Sequence, residues 1–137
     1  MSRENVELVR HCLEALASGD FDAAFAAFGA DSEWSTAADE PDRRTYLGTS
    51  GLRRLVGDLA GPWIDRFDGV MKFEDFIDRG DWVIVPWSAR VRGRGSGVPV
   101  DVGETWAVRV KDSKIVRVDE YRSTEQALAA VGDSGGQ

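Results

Sequence analysis

About the first sixty residues of the chain carry apolar positions at helical spacing. Residues Ser2–Ser18 predict a first helix, whose apolar stripe recurs every three or four positions. Residues Phe21–Phe28 predict a second, shorter helix. A third helix is predicted to begin at Thr49 or Ser50 and to end near Leu59, shortly before a Gly-Pro pair. We therefore expect three helices ahead of the main sheet.

From Val70 onward the period of the apolar positions changes to two, which is typical of strands. The predicted strands are Met71–Ile77, Trp82–Arg92, Val98–Val110 and Ile115–Arg122, with a shorter one at Glu33–Ser35. A last helix is predicted over Glu125–Val131. Helices followed by an antiparallel meander indicate an α+β fold. A curved antiparallel sheet with helices on one face forms a cone, and a cone can hold a pocket.

Alternation along the long strands assigns one face of each strand to the interior. The inward sets are apolar except for a group of aromatic and acidic residues, namely Trp87, Glu104, Trp106 and Glu120. A buried carboxylate is costly unless it is paired or neutral. Two acids that point inward beside tryptophans therefore indicate a functional site. Alternatively, one or both acids lie at strand ends in water, or pair with Arg90 or Arg122.

The opposite face of the sheet is mixed in charge. Its residues are Ile84, Ser88, Arg90, Asp101, Thr105, Arg109, Arg117, Asp119 and Tyr121. In the last strand, alternation predicts that Val116 and Val118 point inward and that Ile115 points outward. Such a face suits a homodimer in which two sheets meet, and a solvated face is the alternative.

Composition and charge restrict the class of protein. The 137 residues fit one domain, which we expect over residues 1–131 with a flexible polar tail over 132–137. The net charge of −7 argues against nucleic acid or an anionic membrane as the partner. No apolar run approaches the roughly 20 residues that span a bilayer, and the N-terminus lacks the apolar region of a signal peptide. We therefore expect a cytoplasmic protein.

Cys12 is the only cysteine of the chain, and His11 is the only histidine. A single cysteine excludes an internal disulfide and a cysteine-based zinc cage. A single histidine weakens the case for a histidine-rich metal site or a Ser-His-Asp triad. The glycine-rich segment 92–97 lacks the lysine of a phosphate-binding P-loop. The sequence therefore predicts no metal and no cofactor.

The chain has five tryptophans, a high count for its length. Trp87 and Trp106 point inward by alternation, and we expect Trp34 and Trp63 at the rim of the same cavity, with Tyr46 over its mouth. Aromatic walls stack well against planar apolar molecules. The expected partner is therefore a small hydrophobic ligand. The alternative is that these aromatic residues only pack the core.

Several motifs occur in the order found in one known family. They are residues 14–23 (EALASGDFDA), 31–34 (DSEW), 46–54 (YLGTSGLRR), 114–121 (KIVRVDEY) and 125–128 (EQAL). With these motifs the chain resembles the SnoaL-like branch of the nuclear transport factor 2-like superfamily, which also includes ketosteroid isomerases and limonene epoxide hydrolases. The resemblance implies a cystatin-like α+β barrel, in which three N-terminal helices pack over a cone-shaped, curved antiparallel sheet. It also implies a homodimer, which this family commonly forms.

The resemblance carries catalytic positions over one residue at a time. Asp39 falls where ketosteroid isomerases keep their general base. Cys12 and Trp106 fall where those enzymes keep the tyrosine and the aspartate of the oxyanion hole, although a thiol and an indole are weaker donors. Glu120 matches the acid on the last strand of the epoxide hydrolases. SnoaL-like cyclases use an aspartate and a histidine, and here the only histidine, His11, lies on the first helix.

Three hypotheses of function follow. The first is a cofactor-independent isomerase, cyclase or hydrolase in which Glu120 or Asp39 is the general acid or base. The second is a non-catalytic protein that binds a hydrophobic molecule in the same pocket. The third is an interaction module that uses the outer sheet face. The expected ligand-binding residues are Cys12, Trp34, Tyr46, Trp63, Trp87, Glu104 and Trp106.

Overall fold

Four helices and eight strands make up the described part of the chain. The computed structural model describes residues 2–37, 43–60, 64–67, 71–93 and 97–135. The helices are α1 (Ser2–Ser18), α2 (Phe21–Ala26), α3 (Gly48–Ala60) and α4 (Thr124–Gly135). The strands are β1 (Phe28–Ser35), β2 (Thr45–Leu47), β3 (Ile64–Phe67), β4 (Lys72–Phe73), β5 (Ile77–Arg79), β6 (Trp82–Gly93), β7 (Pro99–Lys111) and β8 (Lys114–Tyr121). The predicted α+β class is confirmed.

All the strands belong to one curved sheet that does not close on itself. Its order is β2-β1-β8-β7-β6, and β3, β4 and β5 pair with successive parts of the other edge of β6. The described strand pairs are antiparallel except β1 and β8, which run parallel. The sheet is therefore mixed, where the sequence predicted an antiparallel one. Because β1 joins β8 through no hairpin, no tight turn requires the antiparallel direction there.

The three N-terminal helices pack on the inner face of the sheet, as predicted. The core there combines residues of α1, α2 and α3 with the inward residues of the long strands, among them Val9, Leu13, Phe25, Leu52, Val83, Val85, Val108 and Val118. The helical stripes and the strand alternation therefore meet in one apolar layer. None of the helices in the described ranges is long and apolar enough to cross a membrane.

Helix α4 packs on the opposite, outer face of the sheet. It covers Ile84 and Ala107, which are fully buried, and the hydroxyls of Thr105 and Thr124 lie 2.9 Å apart. The prediction that Ile84 and Thr105 lie on a surface open to a partner is therefore wrong. An isoleucine among charged outward residues needs an apolar cover, and the chain's own C-terminal helix supplies it.

The last strand departs from simple alternation. The pairing of β7 with β8 shifts register after Arg109, so that Val110 faces Ile115. Ile115 is consequently fully buried in the inner core, and Val116 is only half-buried. The prediction that Ile115 points outward and Val116 inward is therefore wrong. A β-bulge inserts one extra residue and reverses the alternation beyond it, and nothing in the apolar pattern marked its position.

The strand predicted over Met71–Ile77 is broken into β4 and β5. β4 pairs with β6 from Trp87 onward, and β5 pairs with β6 only up to Ile84. Between them lies Pro86, which has no N–H to donate to a neighbouring strand. Other boundaries moved in both directions: α2 ends at Ala26 where Phe28 was predicted, β1 begins earlier at Phe28, and α4 continues to Gly135 inside the predicted tail. Strands β2 and β3 were not predicted.

Two glycines of α3 should respond in opposite ways to alanine. A Cβ on Gly51 would lie 2.8 Å from the carbonyl carbon of Tyr46, whereas a Cβ on Gly57 would meet nothing within 4 Å. Alanine favours a helix over glycine by about 1 kcal/mol, and a forced contact of this kind costs about 1–3 kcal/mol. We expect Gly57→Ala to raise the free energy of unfolding by about 0.5–1 kcal/mol, and Gly51→Ala to lower it. Urea denaturation of the two variants checks this, and equal signs would contradict it.

Candidate functional site

Glu120 and Trp34, which are 86 residues apart in the sequence, meet on the inner face of the sheet. The indole Nε1 of Trp34 donates to a carboxylate oxygen of Glu120 across 2.7 Å. Trp34 on β1 lies opposite Val118 on β8, so Glu120 is two residues further along the same face. Trp34 is buried and Glu120 is half-buried. A short hydrogen bond to an ionised group is among the stronger ones, so it fixes the orientation of this carboxylate.

Trp106 repeats this arrangement on the next strand. It lies directly opposite Glu120 in the pairing of β7 with β8, and its Nε1 donates to Glu104 across 3.3 Å. Its ring centroid is 4.9 Å from that of Trp34, edge to face at 76°. Its centroid is 5.0 Å from that of Trp87, which lies opposite Glu104 on β6. These five residues, which the sequence analysis named, therefore form one tryptophan–carboxylate cluster.

The two carboxylates of the tryptophan–carboxylate cluster flank Trp106. Glu104 precedes Trp106 by two residues on β7, and Glu120 faces Trp106 from β8. Such diagonal neighbours on one sheet face are separated by about 7 Å. Carboxylates at this separation can both reach one small molecule, and each can accept or donate a proton. The indole rings around them offer flat apolar walls.

Tyr46 lies on the same face, but its hydroxyl is hydrogen-bonded to a residue of α3. It lies opposite Trp34 in the pairing of β1 with β2. Its hydroxyl donates to Asp58 across 2.8 Å, and Arg44 approaches the same carboxylate at 3.5 Å. Burial and the bond to Asp58 raise the pKa of the Tyr46 phenol. The hydroxyl of Tyr46 therefore connects β2 to α3, and the residue belongs to the same core cluster as Trp34.

Cys12 lies between α1 and α2. Its thiol donates to the carbonyl oxygen of Ala24 across 3.3 Å, which uses its only hydrogen. Burial raises the pKa of the Cys12 thiol to about 12. The structure therefore directs this side chain toward α2. His11, on the same helix, is exposed. Asp39 and Trp63, two further predicted site residues, lie outside the described residues.

Two phenylalanines that are not among the predicted site residues extend the aromatic surface. Phe73 on β4 lies opposite Trp87, and Phe28 stacks on Trp34 with centroids 6.2 Å apart. Phe73 also lines a cavity of about 410 Å³ together with Met71, Phe76 and residues of α1. Alternation carried back from Trp87 to its partner strand would have indicated Phe73. A second, more open depression of about 500 Å³ lies at the start of α3, beside Glu33 and Leu47.

The fold and the site together define a class of protein. It is a small α+β cone whose inner face carries tryptophans and carboxylates. The family model of the SnoaL-like domain matches residues 9–118, and the chain belongs to this family. The predicted family is thereby confirmed. No curated protein matches the sequence.

Solved structures of the same fold cover nearly the whole chain. An NTF2-like protein from Burkholderia thailandensis is 24% identical, with a TM-score of 0.75 over 90% of this chain and 96% of that one. TerC, co-crystallised with polyporic acid, is 17% identical, with a TM-score of 0.75 over 98% and 99%. A protein of ketosteroid isomerase-like fold from Catenulispora acidiphila, in complex with trimethylamine, is 19% identical, with a TM-score of 0.70 over 92% of both chains. At identities this low, the likeness to these structures shows the fold of this chain and does not show its activity.

Proposed function

We propose that this protein binds a small, largely apolar molecule against the tryptophan–carboxylate cluster and that Glu120 acts on it as a general acid or base. The observation that carries the proposal is the 2.7 Å hydrogen bond from Trp34 to Glu120. This bond holds a carboxyl group on the inner face of the sheet, next to the apolar rings of Trp34 and Trp106. The complexes of TerC with polyporic acid and of the Catenulispora protein with trimethylamine support small-molecule binding by this fold.

The reaction class that suits this site is a proton transfer without a cofactor, as in an isomerase, cyclase or hydrolase. One ionised carboxylate can remove a proton from the bound molecule, while the other group, in its protonated carboxylic-acid form, gives a proton to another atom of that molecule. Glu104 is placed for the second role because it lies on the other side of Trp106. The indole rings limit access of water to the reacting atoms, which strengthens every charged contact there. Without catalysis, the same walls would still serve a binding protein.

Proton exchange with solvent tests the acid–base part of this proposal. In deuterium oxide, we expect the protein to speed deuterium incorporation beside the carbonyl of 1-indanone, a flat bicyclic probe. Glu120→Gln should slow the protein-dependent rate by about 10²–10⁴-fold, the usual contribution of a positioned acid or base. The measurement is the loss of the proton signal by NMR.

Glu33→Gln is the matched control, since Glu33 lies on β1 next to Trp34 but points to the other face of the sheet. It should exchange like the unchanged protein. Exchange no faster than in buffer, with the probe still bound, would leave only the non-catalytic hypothesis. An unchanged rate in Glu120→Gln would remove Glu120 from the proposed role.

We propose in addition that two copies associate through the part of the outer face that α4 leaves uncovered. There the exposed Arg109 lies opposite Arg117, which is ion-paired with Asp119 at 2.8 Å and with Glu33 at 3.8 Å. Charges of both signs on neighbouring strands allow such a face to meet a twofold copy of itself.

Reversing the charge at Arg109 tests this association. We expect a dimer in sedimentation velocity for the unchanged protein and a monomer for Arg109→Glu, because the new acid would face the partner's acids. Arg3→Glu makes the same charge change on α1, where Arg3 is exposed, and should leave the dimer intact. A monomeric unchanged protein would refute the proposal.

A further inference from the structure

The indole N–H of Trp87 differs from those of the two other tryptophans in the cluster. Trp34 and Trp106 each donate to a glutamate. Trp87 is only 9% exposed, yet within the described part of the chain its Nε1 has no hydrogen-bond partner. Buried N–H groups in native proteins are nearly always paired, and leaving one unpaired is costly. The missing partner of this N–H group therefore has to come from outside the described chain.

The surroundings of Trp87 combine aromatic rings, one carboxylate and a nearby cavity. It lies on the inner face of β6 between Glu104 of β7 and Phe73 of β4. Phe73 is also a wall of the cavity of about 410 Å³. The ring of Trp106 is 5.0 Å away between centroids. The unpaired donor thus belongs to a residue that lies among aromatic rings and opposite Glu104. Its cross-strand neighbour Phe73 lines the cavity.

We infer that the Nε1–H of Trp87 is a ligand-binding donor and that the molecule bound at the tryptophan–carboxylate cluster carries a carbonyl oxygen that accepts this hydrogen bond. The inference rests on the proposed function. An indole has one donor hydrogen and no acceptor, so it selects for an acceptor atom. Glu120, ionised when it acts as the proposed base, adds negative charge nearby, which disfavours an anionic acceptor such as a carboxylate. A neutral ketone, ester or amide on a flat apolar skeleton satisfies both conditions.

Two probes with one carbon skeleton test the inference by calorimetric titration. The probes are 1-indanone and indane, which differ only in the carbonyl oxygen. We expect the unchanged protein to bind 1-indanone more tightly, and Trp87→Phe, which keeps an aromatic ring but removes the donor, to reduce that preference about five- to tenfold. Trp106→Phe is the matched control because its N–H already donates to Glu104. It should retain the preference for the ketone even where both affinities fall.

The possible outcomes separate this inference from the proposed function. Equal binding of both probes by the unchanged protein would overturn the carbonyl inference and leave the apolar site standing. A preference that Trp87→Phe leaves unchanged would also overturn it, since the donor would then serve something other than the ligand, such as water. Failure of both probes to bind would remove the proposed site itself. A preference lost in Trp87→Phe alone would establish the donor.

Discussion

Trp106→Ala is expected to lower the free energy of unfolding by about 3–5 kcal/mol, the usual loss for truncating a fully packed large aromatic side chain. Trp106 is buried and contacts the rings of Trp34 and Trp87 at centroid distances of 4.9 and 5.0 Å. Its removal would leave a cavity between two aromatic rings and take away one hydrogen bond to Glu104. Single domains are stable by only about 5–15 kcal/mol, so this loss would be a large share of the total free energy of unfolding. Urea denaturation followed by circular dichroism measures the loss.

Two further variants separate packing from other effects of this change. Trp106→Phe keeps most of the aromatic contact and should lose clearly less stability than the alanine variant. Trp82→Ala removes a tryptophan of the same size that is only half-buried and packs with α4. It should lose less than half as much stability as Trp106→Ala, because less surface leaves the core. Equal losses at both tryptophans would mean that the tryptophan–carboxylate cluster is not a centre of packing.

Strand alternation carried most of what could be predicted about the inner face. The prediction required only that β6, β7 and β8 keep one register around the site. The pairing of β6 with β7 at Trp87, and of β7 with β8 at Trp106, has no bulge. Glu104, Trp106 and Glu120 consequently meet as expected. Alternation stopped being informative after Arg109, where the register shifts and Ile115 turns inward. A bulge depends on local turn geometry, which apolar periodicity does not record.

The outer face shows a different limit of sequence reasoning. The pattern of Glu125–Val131 predicted a helix there, but a helical stripe does not indicate which surface it covers. The outward pattern predicts Ile84 in an interface with a second copy, whereas α4 of the same chain covers it. A buried apolar surface has the same sequence signature whether its cover is intramolecular or intermolecular. Only the path of the chain after Tyr121 distinguishes the two.

The hydrogen bonds of the site also could not be predicted from the sequence. The indoles of Trp34 and Trp106 could have pointed at a ligand, at water or at a backbone carbonyl. Their choice of Glu120 and Glu104 depends on side-chain positions within about an ångström, since hydrogen bonds weaken steeply with distance and angle. The same holds for Tyr46, whose hydroxyl turned out to reach Asp58. Residue types and their faces were predictable, and the pairing of their polar atoms was not.

Cys12 is expected to react with a thiol reagent at pH 8 about a thousandfold more slowly in the native protein than in the unfolded chain. The thiolate is the reactive form, and burial raises the pKa of this thiol from 9.0 to about 12, which lowers the thiolate fraction about a thousandfold. The unfolded chain releases this proton as the pH passes 9, whereas the native protein holds it up to about pH 12. Stability therefore falls as the pH rises through that window and is unaffected by this group below it.

The rate of reaction with Ellman's reagent, with and without guanidinium, measures the difference. The matched control combines Cys12→Ala with Ser18→Cys, which moves the thiol along the same helix to an exposed position. Its thiol should react at the rate of a free cysteine in both conditions. The Cys12→Ala change alone should also flatten the loss of stability between pH 9 and 12, where the buried thiol otherwise contributes. Fast labelling of Cys12 in the native protein would instead mean that α2 opens away from α1 far more readily than their packing around Ala24 allows.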